Sequence, residues 1–320
     1  MPKHLQALKL GLQLLLQPHI PLLDLQLIIM EYARHCFQGE KKSTLRVGKV
    51  YRYLAMTAVG DTLFMADGDN HINAYEYVST EEWQRTGVWR AGSMVTQLGS
   101  YGPHLVSSDY NGEVSVWNPS NGELVRKFLG HTGRVMAFVE VAGLLATCSF
   151  DKTVRLWTQN QQVDQIVFRS SLPTCMVAWN GQLVVGDSRT DIRIFNGKED
   201  GEQDGWTCIW TFGVSGLLTS LVVSPRHELL FVVDGYVHAI PPDKSSLRVP
   251  IAHDRLDKCV CAVGDTLAVG YSNKIVSCIE LFNHDAQLWK LIRTDSVRGL
   301  VAVGGRLAVA TSGGRVTFVD

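Results

Sequence analysis

The sequence lacks several features that would assign it to a large class of proteins. Its 320 residues carry a formal net charge of −1, which gives no broad electrostatic case for binding nucleic acid or an acidic membrane. The seven cysteines are an odd number and include no CxxC pair. This pattern is typical of buried thiols in a reducing compartment rather than of a disulfide framework. We therefore expect an intracellular protein, cytoplasmic or nuclear.

Motifs of catalysis are also missing. The chain contains no GxSxG nucleophile elbow, no GxxxxGK[ST] phosphate loop and no HExxH zinc motif. Its ten histidines are scattered, and no two lie at ligand spacing on one strand. The sequence therefore predicts no catalytic residue, no bound metal and no cofactor.

One stretch, residues 130–157, organises the rest of the chain. Gly130-His131 opens it, and three apolar runs follow, RVMAFV, GLLATCS and TVRLW. The tight turn between the last two runs is Phe150-Asp151-Lys152. These residues resemble one unit of a WD-repeat β-propeller, with the family's Gly-His pair, turn aspartate and closing Trp157. The aspartate that usually follows the tryptophan is replaced by Thr158.

The resemblance implies a buried hydrogen-bonded chain within this unit. In the family, a tryptophan N–H, a strand hydroxyl, a histidine and the turn aspartate are linked in series. Here these would be Trp157, Thr147 (or Ser149), His131 and Asp151. Each group would be costly to bury alone, whereas the linked groups hold one strand to the next. The signature is therefore structural and implies no reaction.

Related units recur along the chain with a period of about 40 residues, which is typical of a propeller built from four-stranded blades. In each unit a strand-closing aromatic or aliphatic residue follows a turn residue by six positions. The closing residues are Tyr75, Trp117, Trp157, Phe195, Ile240, Ile279 and Phe318. The turn residues are Asp69, Asn111, Asp151, Arg189, Asp234, Asn273 and Ser312. Hairpin turns such as Asn180-Gly181 recur in step with this series, so seven repeats are the best count.

The predicted fold class is all-β, a seven-bladed WD-repeat-like β-propeller in residues 40–320 with a short N-terminal α-helical hairpin in residues 1–39. We expect the last repeat to lack an outer strand of its own. The resemblance implies that an N-terminal strand near residues 43–48 supplies it and closes the ring. Such closure would leave no long unpaired sheet edge.

The leucine-rich residues 1–39 have two open interpretations. Pro18 and Pro21 divide the segment into two expected helices, and its apolar run ends well before the length of about 20 residues that a membrane span needs. Residues 20–37 resemble an F-box, the helical module that joins ubiquitin-ligase scaffolds. The hairpin would either pack on the propeller or recruit such a scaffold.

A WD-repeat-like propeller without catalytic motifs favours a non-catalytic scaffold that binds other proteins or peptides, and neither nucleic acid nor a membrane. The resemblance implies a binding face formed by the turns between second and third strands and by the connections between blades. The candidates on this face are His71, Tyr110, Arg134, Lys152, Arg189, Tyr236, Lys274 and Arg315. Two alternatives stay open: a ubiquitin-ligase substrate receptor that uses residues 1–39, and a propeller hydrolase whose Asp187 and Asp234 converge on the central channel.

Overall fold

The computed structural model describes most of the chain after residue 43, with gaps. The described residues are 44–46, 55–79, 82–197, 205–214, 216, 218–224, 227–233, 236–242, 248–251, 259–263, 266–272, 277–282, 288–293, 297–303, 306–311 and 315–319. The predicted helical hairpin and its F-box-like stretch lie outside these ranges, and so do Asp234 and Lys274.

The described secondary structure consists of strands. In chain order these are β1 (Thr44–Arg46), β2 (Met56–Val59), β3 (Thr62–Ala66), β4 (His71–Ser79), β5 (Glu82–Arg90), β6 (Val95–Tyr101), β7 (His104–Asp109), β8 (Val114–Trp117), β9 (Leu124–Phe128), β10 (Val135–Val141), β11 (Leu144–Ser149), β12 (Thr153–Trp157), β13 (Gln162–Val167), β14 (Pro173–Trp179), β15 (Gln182–Asp187), β16 (Asp191–Asn196), β17 (Thr207–Gly213), β18 (Leu218–Val223), β19 (Leu229–Val233), β20 (Tyr236–Ile240), β21 (Arg248–Ile251), β22 (Cys259–Val263), β23 (Thr266–Ser272), β24 (Ser277–Phe282), β25 (Leu288–Arg293), β26 (Val297–Val303), β27 (Arg306–Thr311) and β28 (Arg315–Val319). Within these ranges no helix is long and apolar enough to cross a membrane.

The strands pair antiparallel into four-stranded sheets, which are the blades of a propeller. Blade one is β2–β5, blade two β6–β9, blade three β10–β13, blade four β14–β17, blade five β18–β21 and blade six β22–β25. In each of these six blades the four strands follow one another along the chain. A further, composite sheet takes β26–β28 from the end of the chain and β1 from its beginning.

Strand β1 completes the composite sheet by pairing antiparallel with β28. Thr44 lies opposite Thr317, and Arg46 lies opposite Arg315. Without β1, the outer edge of β28 would present a row of unpaired backbone N–H and C=O groups, which favours association with other chains. The division of the chain at residues 39 and 40 stays a prediction.

The predicted fold class, a seven-bladed propeller with an N-terminal α-helical hairpin, requires correction. The described residues form strands, turns and irregular connections and contain no helix. Six blades are self-contained, because each takes its four strands from one continuous segment. The remaining sheet is not a repeat of the same kind, since its outer strand comes from the other end of the chain. The described fold is therefore all-β, with six self-contained blades and one composite sheet.

The second strand is buried on both faces in blades two, three and four and in the composite sheet, and this determines its sequence. In β7, β11, β15 and β27 every residue after the first is buried. A blade packs against a neighbour on each side, so its second strand has no solvent face and loses the usual alternation of apolar and polar residues. The outer strands show the opposite pattern, since the first four residues of β9 are exposed.

Apolar side chains fill the spaces between adjacent blades rather than one central core. Separate clusters join blades one and two, two and three, three and four, and four and five. Further clusters join blade six to the composite sheet and the composite sheet to blade one. Blades five and six meet through β18 and β22. Every sheet thus packs on two neighbours, and the last of these contacts closes the ring.

The contact that closes the ring is aromatic. Trp83, on the outer strand of blade one, stacks on Phe318 of the composite sheet with ring centroids 4.1 Å apart and planes 8° from parallel. Tyr77 packs against Trp83 and lies beneath the guanidinium of Arg306, which is 4.4 Å from its ring centroid. Side chains from both ends of the propeller therefore share one packed cluster.

Candidate functional site

Blade three holds a buried chain of four polar side chains. Trp157 donates its indole N–H to the hydroxyl of Thr147 at 2.8 Å. The same hydroxyl lies 2.8 Å from Nε2 of His131, whose Nδ1 is 2.7 Å from a carboxylate oxygen of Asp151. The imidazole is 1% exposed and the Asp151 side chain 7% exposed. The structure thus brings together the four residues that the WD-repeat resemblance links, and it selects Thr147 over Ser149.

The direction of the hydrogen bonds follows from the chemistry of the groups. An ionised carboxylate only accepts, so His131 donates Nδ1–H to Asp151 and leaves Nε2 as an acceptor. Thr147 then accepts from Trp157 and donates to Nε2. Burial lowers the pKa of His131, which favours this neutral imidazole. Burial would raise the pKa of Asp151, but hydrogen bonds from Thr153 and His131 lower it overall.

Asp151 also organises the turn between β11 and β12. One of its oxygens accepts the Thr153 hydroxyl at 2.6 Å and the Thr153 backbone N–H at 3.0 Å. The other oxygen accepts the backbone N–H of Thr132 at 3.2 Å. Ser149 has a different role, because its hydroxyl donates to the carbonyl of Gly133 and accepts the N–H of Asp151. The network therefore ties the turn to the connection that enters blade three.

The network predicts a pH dependence of stability. The unfolded His131 takes up a proton as the pH falls through about 6.5, whereas the folded imidazole, with its lowered pKa, remains neutral to lower pH. Protonation of the unfolded state then costs folding stability. The stability advantage of the wild type over His131→Gln should therefore narrow as the pH falls from 7.5 to 5.5. Urea unfolding of both proteins across this range measures it, and a constant difference would contradict the neutral buried imidazole.

Blades two and four keep only parts of this network. In blade two, Trp117 donates to Ser107 at 2.8 Å, as Trp157 does to Thr147, but the buried Ala91 stands where the histidine would be. In blade four, Phe195 and Val185 occupy the tryptophan and hydroxyl positions. Apolar packing replaces the polar chain there, so among blades two, three and four the complete network is found in blade three.

Thr158 takes over a turn-forming role at the position of the family's missing aspartate. Its hydroxyl accepts the backbone N–H groups of Asn160 and Gln161, both at 3.2 Å. Asn118, at the same place in blade two, accepts the N–H of Ser120 through its side-chain oxygen at 3.0 Å. A short side-chain acceptor therefore serves this turn, and the substitution by threonine keeps it.

A second series of turn residues was missed by the sequence prediction. In blades one, two and four a carboxylate oxygen accepts two backbone N–H groups across the turn between the second and third strands. The carboxylates belong to Asp67, Asp109 and Asp187, and Ser149 holds the same position in blade three. They lie two residues before the predicted turn positions. The signal was present, because these residues repeat with the same spacing as the closing aromatic residues.

Asp187, which the hydrolase alternative needs in the channel, is fully engaged within blade four. Its buried carboxylate accepts the Ser171 hydroxyl at 2.7 Å and pairs with the guanidinium of Arg193 at 3.2 Å. Its other oxygen accepts the N–H groups of Arg189 and Asp191. Within the described ranges no three His, Cys, Asp or Glu residues are grouped as a metal site would require.

Four cysteines whose side chains are described are free thiols: Cys148, Cys175, Cys208 and Cys261. Cys148 is buried and Cys175 is partly buried, and burial raises the pKa of Cys175 to about 11. Burial raises the pKa of Cys148 further still. Such thiols stay protonated near neutral pH and are poor nucleophiles. Cys208 is exposed on β17, which departs from the expectation of buried thiols.

The predicted partner face can be followed in blades one to four. His71 begins β4 and lies 3.4 Å from the carboxylate of Asp67. The turns of blades two, three and four carry Tyr110, Lys152 and Arg189, all of which are exposed. Arg134 lies in the connection that enters blade three. Tyr236 and Arg315 begin β20 and β28, and only their backbones are described, whereas Lys274 lies outside the described residues.

Three of these residues and one neighbour lie where blades two and three meet, and we call them the aromatic patch: Tyr110, Arg134, Phe150 and Lys152. The guanidinium of Arg134 lies over the Tyr110 ring at 5.4 Å from its centroid. The Phe150 backbone N–H donates to the Arg134 carbonyl at 2.9 Å, and Lys152 follows in the same turn. Tyr110 is 53% exposed and Phe150 45% exposed, so two aromatic rings face solvent where blades two and three meet.

Glycines hold the backbone of the patch in place. Gly112, at a φ of 91°, lies so close to blade three that a Cβ would meet the His131 carbonyl at 2.7 Å and the Gly133 carbonyl at 2.9 Å. A Cβ on Gly133 would in turn meet the backbone of Phe150 at 3.2 Å. The turns of blades two and three are therefore packed backbone to backbone, and the rings above them are carried on a rigid base.

Comparison with known families decides the nature of blade three. Residues 122–158 match the model of the family described as WD domain, G-beta repeat. Over these residues the chain is similar to a WD repeat. The match spans the buried network of blade three and confirms the resemblance inferred from Gly130-His131, Asp151 and Trp157.

Other proteins are similar in sequence to parts of this chain. Periodic tryptophan protein 2 of Saccharomyces cerevisiae is 34% identical over 101 residues, which are 30% of this chain and 11% of that protein. Apoptotic protease-activating factor 1 of Rattus norvegicus is 26% identical over 205 residues, 59% of this chain and 16% of that protein. The chain thus spans less than a fifth of the length of either relative.

Solved structures share the fold over most of the chain. A chain in the crystal structure of the mitotic checkpoint complex superposes with a TM-score of 0.69 at 12% identity, over 86% of this chain and 90% of that one. The β-propeller domain of Myceliophteria thermophila Cps50 (Swd1) superposes with a TM-score of 0.66 at 16% identity, over 87% of this chain and 99% of that one. At these identities the likeness concerns the propeller fold.

Proposed function

We propose that this WD-repeat chain is a non-catalytic scaffold that binds a protein or peptide partner through the aromatic patch. The observation that carries the proposal is the exposure of Tyr110 and Phe150 on a rigid base, with Arg134 held against the tyrosine ring. Aromatic and arginine side chains carry most of the binding energy at protein interfaces. Exposed rings at the centre of a fixed surface lose little conformational entropy when a partner covers them.

The engaged polar groups support a binding role rather than a reaction. The most conspicuous polar cluster, in blade three, is used to hold strands and a turn together. The buried Asp187 is used in the same way in blade four. The similar chain found in the mitotic checkpoint complex belongs by name to a protein assembly, which agrees with a scaffold role.

The proposal retains the wider predicted face and the predicted compartment. His71 and Arg189 would contribute at its edge, and Tyr236, Lys274 and Arg315 would extend it around the ring. An intracellular location remains the expectation from the cysteine pattern. The ubiquitin-ligase alternative depends on residues 20–37 and does not enter this proposal.

Removal of both rings should weaken partner binding strongly. For the double variant Tyr110→Ala/Phe150→Ala we expect an affinity loss of about 30-fold, the effect of losing one strong interface residue. The protein should fold normally, because exposed side chains contribute little to stability. Partners would be identified by quantitative affinity enrichment with the full chain, and their dissociation constants measured by titration calorimetry.

The matched control removes exposed apolar side chains elsewhere. Val125 and Val163 lie on the outer strands β9 and β13 and are 49% and 43% exposed. The variant Val125→Ala/Val163→Ala should retain every partner that the wild type binds. Equal enrichment of partners by the wild type and the Tyr110→Ala/Phe150→Ala variant would refute the proposed site.

A further inference from the structure

Exposed cations lie in the aromatic patch and in the connection and turn that follow it along the chain. Lys152 and Arg189 lie in the turns of blades three and four, and Arg169 lies in the connection between β13 and β14. The Phe168 backbone N–H donates to the Lys152 carbonyl at 2.8 Å, which places Arg169 beside this turn. All three cationic side chains are exposed, and none forms an ion pair with a described carboxylate.

The carboxylates at the same end of blades two to four are already engaged within the chain. Each accepts hydrogen bonds from backbone N–H groups or pairs with a cation or histidine of its own blade. Asp109 accepts two backbone N–H groups, and Glu113 pairs with Lys127 at 2.6 Å. Asp151 pairs with His131, and both Asp187 and Asp191 pair with Arg193. The charge that remains for a ligand on this part of the face is therefore positive, although the whole chain is close to neutral.

The positive charge and the two exposed aromatic rings together indicate what kind of ligand would bind. An anionic ligand gains attraction from the three exposed cations, and electrostatic complementarity governs both association rate and choice of partner. The rings of Tyr110 and Phe150 additionally need an apolar side chain to cover them, because aromatic burial supplies most of the affinity. A nucleic acid would need a longer basic stripe than the few cations beside these two rings provide.

We infer that the aromatic patch, together with Arg169 and Arg189, binds an acidic peptide segment that carries at least one large apolar side chain. The inference rests on the proposed function and adds the chemistry of the partner. The apolar side chain lies against Tyr110 and Phe150, and the Asp and Glu side chains of the segment lie near Lys152, Arg169 and Arg189. Exposed pairs of this kind are screened by salt, so binding weakens as the ionic strength rises.

Defined peptide pools test this ligand chemistry directly. Three fluorescein-labelled pools of 12-residue peptides would carry a central Trp, flanked by Asp and Glu in the first, by Asn and Gln in the second, and by Lys and Arg in the third. Binding to the full chain is measured by fluorescence anisotropy at low and high salt. We expect the acidic pool to bind at least tenfold more tightly than the amide pool. Replacement of Trp by Ser in the acidic pool should weaken its binding.

Variants with reversed charges test where the acidic peptides bind. Lys152→Glu/Arg189→Glu should weaken binding of the acidic pool by about tenfold, as expected for the loss and reversal of two exposed charge pairs. The matched control Arg85→Glu/Arg126→Glu reverses two exposed cations on the outer strands β5 and β9 and should leave binding unchanged. Equal losses in both variants would indicate a general effect of net charge and would overturn the inference.

The remaining outcomes separate this inference from the proposed function. If the amide or basic pool binds as tightly as the acidic pool, or no pool binds, the acidic ligand is wrong, while partner loss in Tyr110→Ala/Phe150→Ala still supports the binding site. If the acidic pool binds equally to that double variant, the site itself is wrong. Tighter, competing binding of a single-stranded RNA or of phosphatidylserine vesicles would also overturn the peptide inference.

Discussion

Asp151→Ala is expected to lower the free energy of unfolding by about 3–5 kcal/mol, because it removes the acceptor of several hydrogen bonds in a largely buried turn. The carboxylate accepts four hydrogen bonds, from the His131 ring, the Thr153 hydroxyl and N–H, and the Thr132 N–H. Alanine would leave these donors without their acceptor in a largely buried turn, and an unsatisfied donor costs about 1–3 kcal/mol. Urea unfolding followed by tryptophan fluorescence measures the loss.

The propeller contains its own control for this experiment. Asp69 holds the corresponding turn position in blade one, but it is exposed and its carboxylate makes no described hydrogen bond. Asp69→Ala should therefore change stability by less than about 0.5 kcal/mol. The loss of stability in Asp151→Asn should lie between those of Asp69→Ala and Asp151→Ala, because an amide oxygen can still accept some of the hydrogen bonds. Similar losses for Asp69→Ala and Asp151→Ala would show that the network contributes nothing beyond an ordinary turn.

The sequence predicted the network of blade three because its residues are local and chemically specific. Four polar groups within 27 residues leave few ways to satisfy one another once their strands are buried. What the sequence left open was the hydroxyl, since Thr147 and Ser149 lie on the same face of one strand. The structure assigns Thr147 to His131 and Trp157, and Ser149 to the Gly133 carbonyl.

The closing residues were predicted correctly in blades one to five, whereas in blade six and the composite sheet they were placed at the wrong position. In blades one to five the closing residue pairs across the sheet with a leucine at the first or second position of the second strand, as Trp157 does with Leu145. In blade six that partner of Leu267 is Phe282 rather than the predicted Ile279. Several aliphatic residues in one strand satisfy a spacing rule equally, so the pattern alone could not fix the register.

The exposed residues of the proposed aromatic patch were predicted only in part, for a different physical reason, and the partner face itself stays a prediction. The positions of Tyr110 and Lys152 in predicted turns made them candidates for the partner face. The turn pattern could not show which apolar side chains stay exposed. Phe150 was recognised as a turn residue and was not placed among the candidates. Its exposure depends on the approach of Gly133 beneath it and on the contact of Arg134 with blade two, and both contacts join segments that the sequence treats separately.

Phe318→Ala is expected to lower the free energy of unfolding by about 3–5 kcal/mol, as is typical when a buried phenylalanine is truncated. The side chain is 3% exposed and fills the junction between blade one and the composite sheet. Loss of the ring would leave a cavity against Trp83, at the junction where the first and last sheets meet. Urea unfolding gives the loss, and Phe318→Leu, which fills more of the space, should lose less.

A double-mutant cycle with Trp83 shows whether the closing contact is specific. The two rings are stacked at 4.1 Å, and stacked aromatic pairs contribute about 0.5–1.5 kcal/mol beyond the area that they bury. Trp83→Ala and Phe318→Ala should therefore be less costly together than the sum of the single losses, by about this amount. Strict additivity would mean that the rings merely fill space independently. The propeller would then be closed by the pairing of β1 with β28 and not by aromatic contact between its first and last sheets.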